Sequence, residues 1–293
     1  METIEELRSK ITSAEDLQSV VRTMKALAAV SIRQYEKALE SLVEYHRTIS
    51  LGLQIVVKKE PSLLSFFRRP QSGRLLVVIL GSDYGMVGQF NDQIVSYAME
   101  ELDSIGGEVE IWAMGERVLS RVERRGHPAG RIYFAPSSVS GVTSLVHRIL
   151  LDIEEANSRG QIERVAFFYN RPIAGASFES ASYQLLPLDE NWLLGLSHQP
   201  WPNRVLPTYT MESDNLFSAL IRQFLFVSIY KAIAESLLSE NASRLAAMQG
   251  ADKNIDERLG DLQLKYHQQR QSSITEELMD VVSGFEALTN EGS

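Results

Sequence analysis

The chain has 293 residues, 44% hydrophobic and 23% charged, enough for one core-bearing domain plus one long element in an ordinary soluble protein. Its net charge of −9 argues against a nucleic-acid partner, which requires a basic face; the small cluster Arg121, Arg124, Arg125, His127 and Arg131 reads as a solvated loop. With no cysteine, a disulfide, a thiolate metal site and a cysteine nucleophile are all excluded.

The first element is a helix. From Ile4 through Leu7, Ile11 and Ala14 to Leu53 and Val56, positions in alternating steps of three and four are apolar, interrupted only by Gln18, Lys25 and His46. Such a sustained pattern predicts a left-handed coiled coil. It opens on an acidic amphipathic helix with no secretory apolar core, so a soluble or membrane-peripheral protein is expected. The helix is expected to fade at Lys58-Lys59-Glu60-Pro61, and residues 59–73 read as a linker containing Phe66-Phe67 and Arg68-Arg69-Pro70.

An α/β pattern follows. Leu75–Leu80 reads as a buried strand, and at six residues it is far short of a membrane span. The glycine-rich loop Gly81–Asn91 leads into a helix ending near Ile105. Strands are expected at Glu108–Met114, Arg131–Phe134 and Arg164–Tyr169, with helices at Glu116–Arg124 and Val139–Ala156. This alternation predicts a parallel, doubly wound sheet. The alternating stretch Ser177–Leu186 reads as an antiparallel edge strand. Residues 191–207, with Pro200, Pro202 and Pro207, read as a second linker.

No proline occurs after Pro207. From about Asp214 to Leu288 apolar residues return at helical spacing, through Leu216, Phe224, Tyr230, Leu237, Met248, Leu259 and Tyr266 to Ile274, Leu278, Val281 and Phe285. At 1.5 Å per residue such a helix would reach about 110 Å and needs a partner along its length. The N-terminal helix is that partner. The expected fold is therefore a long antiparallel coiled coil of the N- and C-terminal helices (1–58 and 208–293) with an inserted Rossmann-like α/β domain (74–190). The same pattern would suit two long helices capping an unrelated domain; periodicity gives the shape and leaves the job open.

Chemistry is sparse. Gly81, Gly85 and Gly88 lie where a nucleotide loop would, but their spacing fits neither G-x-G-x-x-G nor G-x-x-x-x-G-K-[ST], and no phosphate lysine follows. Tight strand-to-helix packing explains them better. His46, His127, His147, His198 and His267 are scattered without metal-ligand spacing, and no nucleophile elbow is present. No catalytic residue, cofactor or metal is expected.

Specific segments resemble one family. Thr23-Met24-Lys25-Ala26-Leu27-Ala28-Ala29-Val30-Ser31 is similar to T-x-A-M-x-M-V-A-A-S-K, and Ser82-Asp83-Tyr84-Gly85-Met86-Val87-Gly88-Gln89-Phe90-Asn91 to T-D-R-G-L-C-G-x-x-N. Leu185–Leu188 is an L-L-P-L segment. Glu240-Asn241-Ala242-Ser243-Arg244-Leu245-Ala246-Ala247-Met248 resembles S-E-x-A-S-R-M-x-A-M. Leu262–Tyr266, Arg270–Leu278 and Val282-Ser283-Gly284 resemble L-x-L-x-Y-N-x-x-R-Q-A-x-I-T-x-E-L-x-E-I-V-x-G. These are the marks of the gamma subunit of F-type ATP synthases, and they span essentially the whole chain.

The resemblance implies a non-catalytic central-stalk rotor, one copy per complex. It would couple proton or sodium flow through the membrane c-ring to ATP synthesis or hydrolysis on the alpha/beta hexamer, with the epsilon subunit at its foot. It would lie peripherally on the cytoplasmic face of the plasma membrane. By position, Arg270, Gln271, Thr275 and Glu277 would meet the beta-subunit catch loops, and Met24 and Lys25 the lower part of beta. Leu278, Val281, Val282, Phe285 and Leu288 would form the rotor-tip bearing. Two other readings compete with this one: a coiled-coil adaptor, and an α/β nucleotide-binding enzyme using Gly81–Gly88. The chain also departs from the family pattern. Val30-Ser31 replaces Ser-Lys, His267 stands for Asn, Tyr209-Thr210-Met211 lacks the proline of Tyr-Glu-Pro, and Phe285-Glu286-Ala287-Leu288 replaces small residues. With the overall acidity, these mark a divergent branch such as an alternative ion-translocating F-type ATPase.

Overall fold

The computed structural model describes residues 3–67, 73–105, 107–160, 162–173, 177–202 and 205–290, with backbone alone at 65–67 and 284–290. The expected Phe66-Phe67 side chains and Arg68-Arg69-Pro70 lie outside the described residues. The chain divides into two compact units, Met1–Leu27 with Leu245–Ser293, and Ala28–Arg244. The division falls inside both long helices, α1 (Ile4–Lys59) and α6 (Ser213–Asn290).

The larger unit holds a five-stranded sheet: β1 (Leu75–Leu80), β2 (Val109–Met114), β3 (Ala129–Tyr133), β4 (Arg164–Pro172) and β5 (Phe178–Leu186). Its order is β3-β2-β1-β4-β5. The first four strands are parallel and β5 runs antiparallel on the edge, as expected. Every residue of β1 is buried, because both sheet faces are covered and a central parallel strand then has no polar side.

One face packs Leu75, Val77 and Ile79 against α2 (Phe90–Ile105) and α3 (Glu116–Arg124). The other packs Leu76, Val78 and Leu80 against α4 (Val139–Ser158) and against Ile229, Ile233 and Leu237 of α6. Tyr35 of α1 joins that second cluster. Between Ala232 and Asn241 α6 is buried almost all round, polar Ser236, Ser239, Glu240 and Asn241 included. By composition α6 is long and apolar enough to cross a membrane, with a window of mean hydropathy 1.5. Here, however, Phe224, Val227 and Ile229 sit inside cores.

A third cluster contains Leu53, Val56, Phe217 and Phe224 with α5 (Glu190–His198) and a 3-10 turn at Pro61–Phe67. Both elements fall in stretches that read as linkers. Asp189 caps α5, accepting from the Asn191 N–H at 2.9 Å. Leu193 and Leu196 are buried, and Gln54 Nε2 donates to the Gln199 carbonyl at 2.7 Å. A nine-residue helix between proline-rich flanks shows too little periodicity to be read without the surface it packs on.

The two long helices run antiparallel in each unit. In the smaller one, Gln18 bonds Asp256 while Lys25 bonds Asp252, so α6 numbers fall as α1 numbers rise. In the larger one, Tyr45 Oη donates to Gln223 at 2.8 Å. Further along, a Cβ on Gly52 would lie 3.0 Å from Leu220. The α1 positions of the predicted seam are all buried or half-buried, from Leu7 at 2% exposure to Leu53 at 0% and Val56 at 1%.

A tight turn follows β2. Gly115 has φ +98°, and a Cβ there would meet the Ser82 carbonyl oxygen at 2.6 Å. Gly115→Ala therefore combines backbone strain with a collision against a rigid loop and is expected to destabilise by about 2–4 kcal/mol. Gly126→Ala, at φ +84° in open space, is expected to cost only about 1–2 kcal/mol. Urea unfolding of the two variants measures the difference.

Candidate functional site

The loop after β1 occupies the place where a doubly wound sheet ordinarily receives a ligand. Here it is closed on the protein itself. The Ser82 N–H donates to Asn91 Oδ1 at 3.0 Å, Asn91 Nδ2 donates to Ser82 Oγ at 2.8 Å, and Ser82 Oγ donates to the Tyr84 carbonyl at 2.8 Å. Asp83 accepts from the backbone N–H groups of Glu116 at 3.2 Å and Ala135 at 2.8 Å, tying together the loops after β1, β2 and β3. Ser243 Oγ of α6 donates to the Val87 carbonyl at 2.6 Å, and Asn170 Nδ2 donates to the Phe90 carbonyl at 2.9 Å. A Cβ on Gly81 would stand 2.1 Å from Val118 Cγ2. Gly81 thus serves close packing on α3, and the motif's Asp83 and Asn91 are loop staples. Among the described residues no group of three or more His, Asp or Glu could hold a metal.

Beneath this loop α6 carries a buried ion pair. Arg244 Nη2 lies 2.7 Å from Glu240 Oε1, with side chains 14% and 8% exposed. Burial pushes the Glu240 carboxyl up, Arg244 opposes that shift, and Asp83 adds to it. Burial, then the Glu240 charge, pushes the Tyr35 phenol up to about 12. Breaking one partner of such a pair leaves the other desolvated and alone, which costs about 3–5 kcal/mol. The Glu240-Asn241-Ala242-Ser243-Arg244 segment is thus anchored through its acid, its serine and its arginine.

The smaller unit buries one seam and exposes the side chains beside it. Lys25 sits in the seam, its Nζ 2.6 Å from Asp252 Oδ2, with side chains 30% and 15% exposed. Lys25 and then Arg22 hold the Asp252 carboxyl below its usual range. Met24 is half-buried beside it. Flanking them are three apolar side chains that the heptad reading passed over: Leu17, Val20 and Leu27, 54%, 55% and 64% exposed. Together with Met24 they repeat at steps of three, four and three, one residue ahead of the seam positions Gln18, Val21 and Lys25. That offset was visible in the sequence as a second apolar stripe.

At the other end, Arg270, Gln271, Thr275 and Glu277 are all exposed, and the Thr275 hydroxyl donates to the Gln271 carbonyl at 2.9 Å. The pairing of Lys25 with Asp252 sets a register that places Ile4 opposite Ser273. Beyond that point α6 has no partner among the described residues. Ile274, Leu278, Val281 and Val282 are 54%, 60%, 73% and 44% exposed. The side chains of Phe285 and Leu288 lie outside the described residues. Adjacent apolar side chains left uncovered on a helix mark a partner surface.

A closed glycine-rich loop and two uncovered apolar helix faces define a paired-helix α/β protein equipped to bind other chains. Comparison with known proteins agrees. A family model described as "ATP synthase" matches residues 3–288, and the chain belongs to that ATP synthase family. Among curated relatives, the ATP synthase gamma chain of Syntrophus aciditrophicus is 27% identical over 298 residues, covering 98% of this chain and 99% of its own. That of Nitrosomonas europaea is 26% identical over 293 residues, covering 97% and 98%. Among solved structures, a chain of the Euglena gracilis mitochondrial ATP synthase (OSCP/F1/c-ring, rotational state 3) shares the fold. Its TM-score is 0.67 at 19% identity, with 97% of this chain and 94% of that chain covered. A chain of the rotor of the same enzyme gives 0.64 at 19% identity, with 92% and 98% covered.

Because the Ser82 N–H and the Val87 carbonyl of the loop after β1 are committed to Asn91 and Ser243, and the Asp83 carboxylate to the Glu116 and Ala135 amides, calorimetric titration of the chain with ATP, ADP or NAD is expected to give no saturable heat. Micromolar binding of any of them would show that the loop opens.

Proposed function

We propose that this chain is the central-stalk gamma subunit of an F-type ATP synthase, a non-catalytic rotor that couples ion flow through a membrane c-ring to ATP synthesis or hydrolysis on an alpha/beta hexamer. The observation that carries the reading is the uncovered end of α6, apolar at 274, 278, 281 and 282, in a chain whose full length matches gamma chains. An adaptor would need heptads alone, whereas the match runs through loop, sheet and tip. A nucleotide enzyme would need an open loop. The partners are then the alpha and beta subunits, the epsilon subunit and the c-ring, and the location is the cytoplasmic face of the membrane.

On this reading the domain division is a shaft, 1–58 and 208–293, around an α/β insert, 74–190. A pair of helices resists torsion better than one, which gives the coiled coil its purpose. Leu278, Val281, Val282, Phe285 and Leu288 form the bearing. Arg270, Gln271, Thr275 and Glu277 meet the beta-subunit catch loops, and Met24 and its exposed neighbours meet the lower part of beta. Lys25 contributes from within the seam, where Asp252 already holds it.

Hydrogen exchange is expected to show residues 272–283 unprotected in the isolated chain and protected in the assembled complex; equal protection in both would mean that no partner covers the tip. Arg270 provides the sharper test. Its planar fork pairs bidentately with a carboxylate, and a contact present in only some rotary states changes the barrier between them. Truncating one side of a desolvated pair costs about 2–5 kcal/mol, against about 0–1 kcal/mol for an exposed one. Arg270→Ala is therefore expected to lower ATP-driven ion transport about tenfold or more without unfolding the α/β unit. Unchanged transport and hydrolysis in a fully assembled complex would remove Arg270 from the coupling path.

A further inference from the structure

The smaller unit places charge where a coiled coil ordinarily places apolar side chains. Around Lys25 and Asp252 the seam is Leu7, Ile11, Ala14 and Val21 on α1, facing Met248, Ile255, Leu259 and Leu262 on α6. Three of its positions, Gln18 and Lys25 on α1 and Asp252 on α6, break the pattern, and the exposed Arg22 and Asp256 border them. Lys25 Nζ meets Asp252 Oδ2 at 2.6 Å. Gln18, only 9% exposed, donates from Nε2 to Asp256 Oδ1 one turn further on. Arg22 Nε stands 3.5 Å from Asp252 Oδ1, and Arg22 Nη2 stands 3.8 Å from Asp256. The arrangement is one-sided: α1 supplies cations and an amide, and α6 supplies both carboxylates.

Such a layer is a poor source of stability. Ionic groups in a seam give up hydration that apolar residues of similar size would not need to lose, and replacing them with apolar residues is often neutral or stabilising. Their established use in coiled coils is to fix register. The surroundings of Lys25 fit that use. A slip of half a heptad would face its ammonium with Met248 or Ile255, and a slip of a whole heptad with Leu245 or Leu259. Each slip also takes Asp252 away from the Lys25 ammonium. Without the layer, leucine, isoleucine, valine and methionine would meet one another in every one of these registers with little to choose between them.

We propose that Lys25 and Asp252, with Gln18 and Arg22 supporting them, are positioning residues that lock the register of the two long helices. They keep the helices from sliding past each other when the pair is loaded. The lock draws its purpose from the rotor reading, but its test does not depend on that reading.

The chain has no cysteine, so introduced cysteine pairs report register without background. With Lys25 against Asp252, Val21 faces Ile255. The double substitution Val21→Cys/Ile255→Cys therefore reports the native register. Val21→Cys with Met248→Cys or with Leu262→Cys reports a slip of one heptad. In the natural chain, oxidation is expected to close the 21–255 pair alone. In a Lys25→Leu/Asp252→Leu background, the 21–248 and 21–262 pairs are expected to close at least tenfold more than in the natural chain, with thermal stability unchanged or raised. The exchanged background Lys25→Asp/Asp252→Lys is expected to return to the 21–255 pair. Retention of that pair alone in the leucine background would show that apolar packing sets the register and would overturn the proposal. Slipped pairs already closing in the natural chain, or failure of the exchanged background to restore the native pair, would overturn it equally.

Discussion

A helix of 78 residues is not held by its own propensity; helical stability in proteins comes mostly from the face that is covered. The structure depends on how α6 meets that requirement. From Phe217 to Val227 it is covered by α1, α5 and the 3-10 turn. From Ile229 to Leu238 it is enclosed by the sheet layer as well. At Asp252, Leu259 and Leu262 α1 covers a single face, and from Ile274 to Ser283 no described residue covers it. The sequence changes character with each change of surroundings: aromatic and leucine-rich first, then small residues, then a heptad seam, then exposed apolar side chains.

The heptad stretches were legible because their signal is local. A helix with one neighbour buries one stripe, and α1 does so from Leu7 to His46. The region 229–241 was only half legible. Tyr230, Ala234, Leu237 and Asn241 were expected on the seam, but Ala232, Ile233, Ser236, Ser239 and Glu240 are buried too, because the helix has a second neighbour on its other side. The trace of that neighbour was the concentration of alanine and serine, which lets backbones approach, and periodicity does not report it. The strands were read to within a few residues because β1 is apolar without interruption and β5 alternates.

The candidate functional surfaces divide along the same line. The tip was legible because Ile274, Leu278 and Val281 keep helical apolar spacing past the stretch that described residues of α1 cover. Apart from Met24, the stripe of Leu17, Val20 and Leu27 was missed because it adjoins the seam, and two neighbouring stripes look like one wide one in sequence. The glycine loop was legible as tight packing, but the partners of Asp83 and Asn91 were not. Those bonds join segments far apart in sequence, and only the fold brings them together. The partner proposed for Arg270 lies on another chain, so a single sequence carries no physical trace of it.

The tip also differs in kind from the seam it follows. The α1-facing positions of α6 run Leu259, Leu262, Tyr266, and the register carries them on to Ser273. The apolar tip residues begin at Ile274, one position later, and so point about 100° away around the helix. They do not continue the old seam. Met279 and Val282 widen the new face, and with Ile274, Leu278 and Val281 the apolar side chains span about 160° of the helix. Glu276, Glu277 and Asp280 gather on the side they leave free. An apolar half and an acidic half differ in what they meet at each angle. A partner of uniform apolar lining would strip water from the three carboxylates without replacing their hydrogen bonds, which is costly for any charge. The geometry therefore favours surroundings that are themselves two-sided, or that cover the apolar half while leaving the acidic half wet.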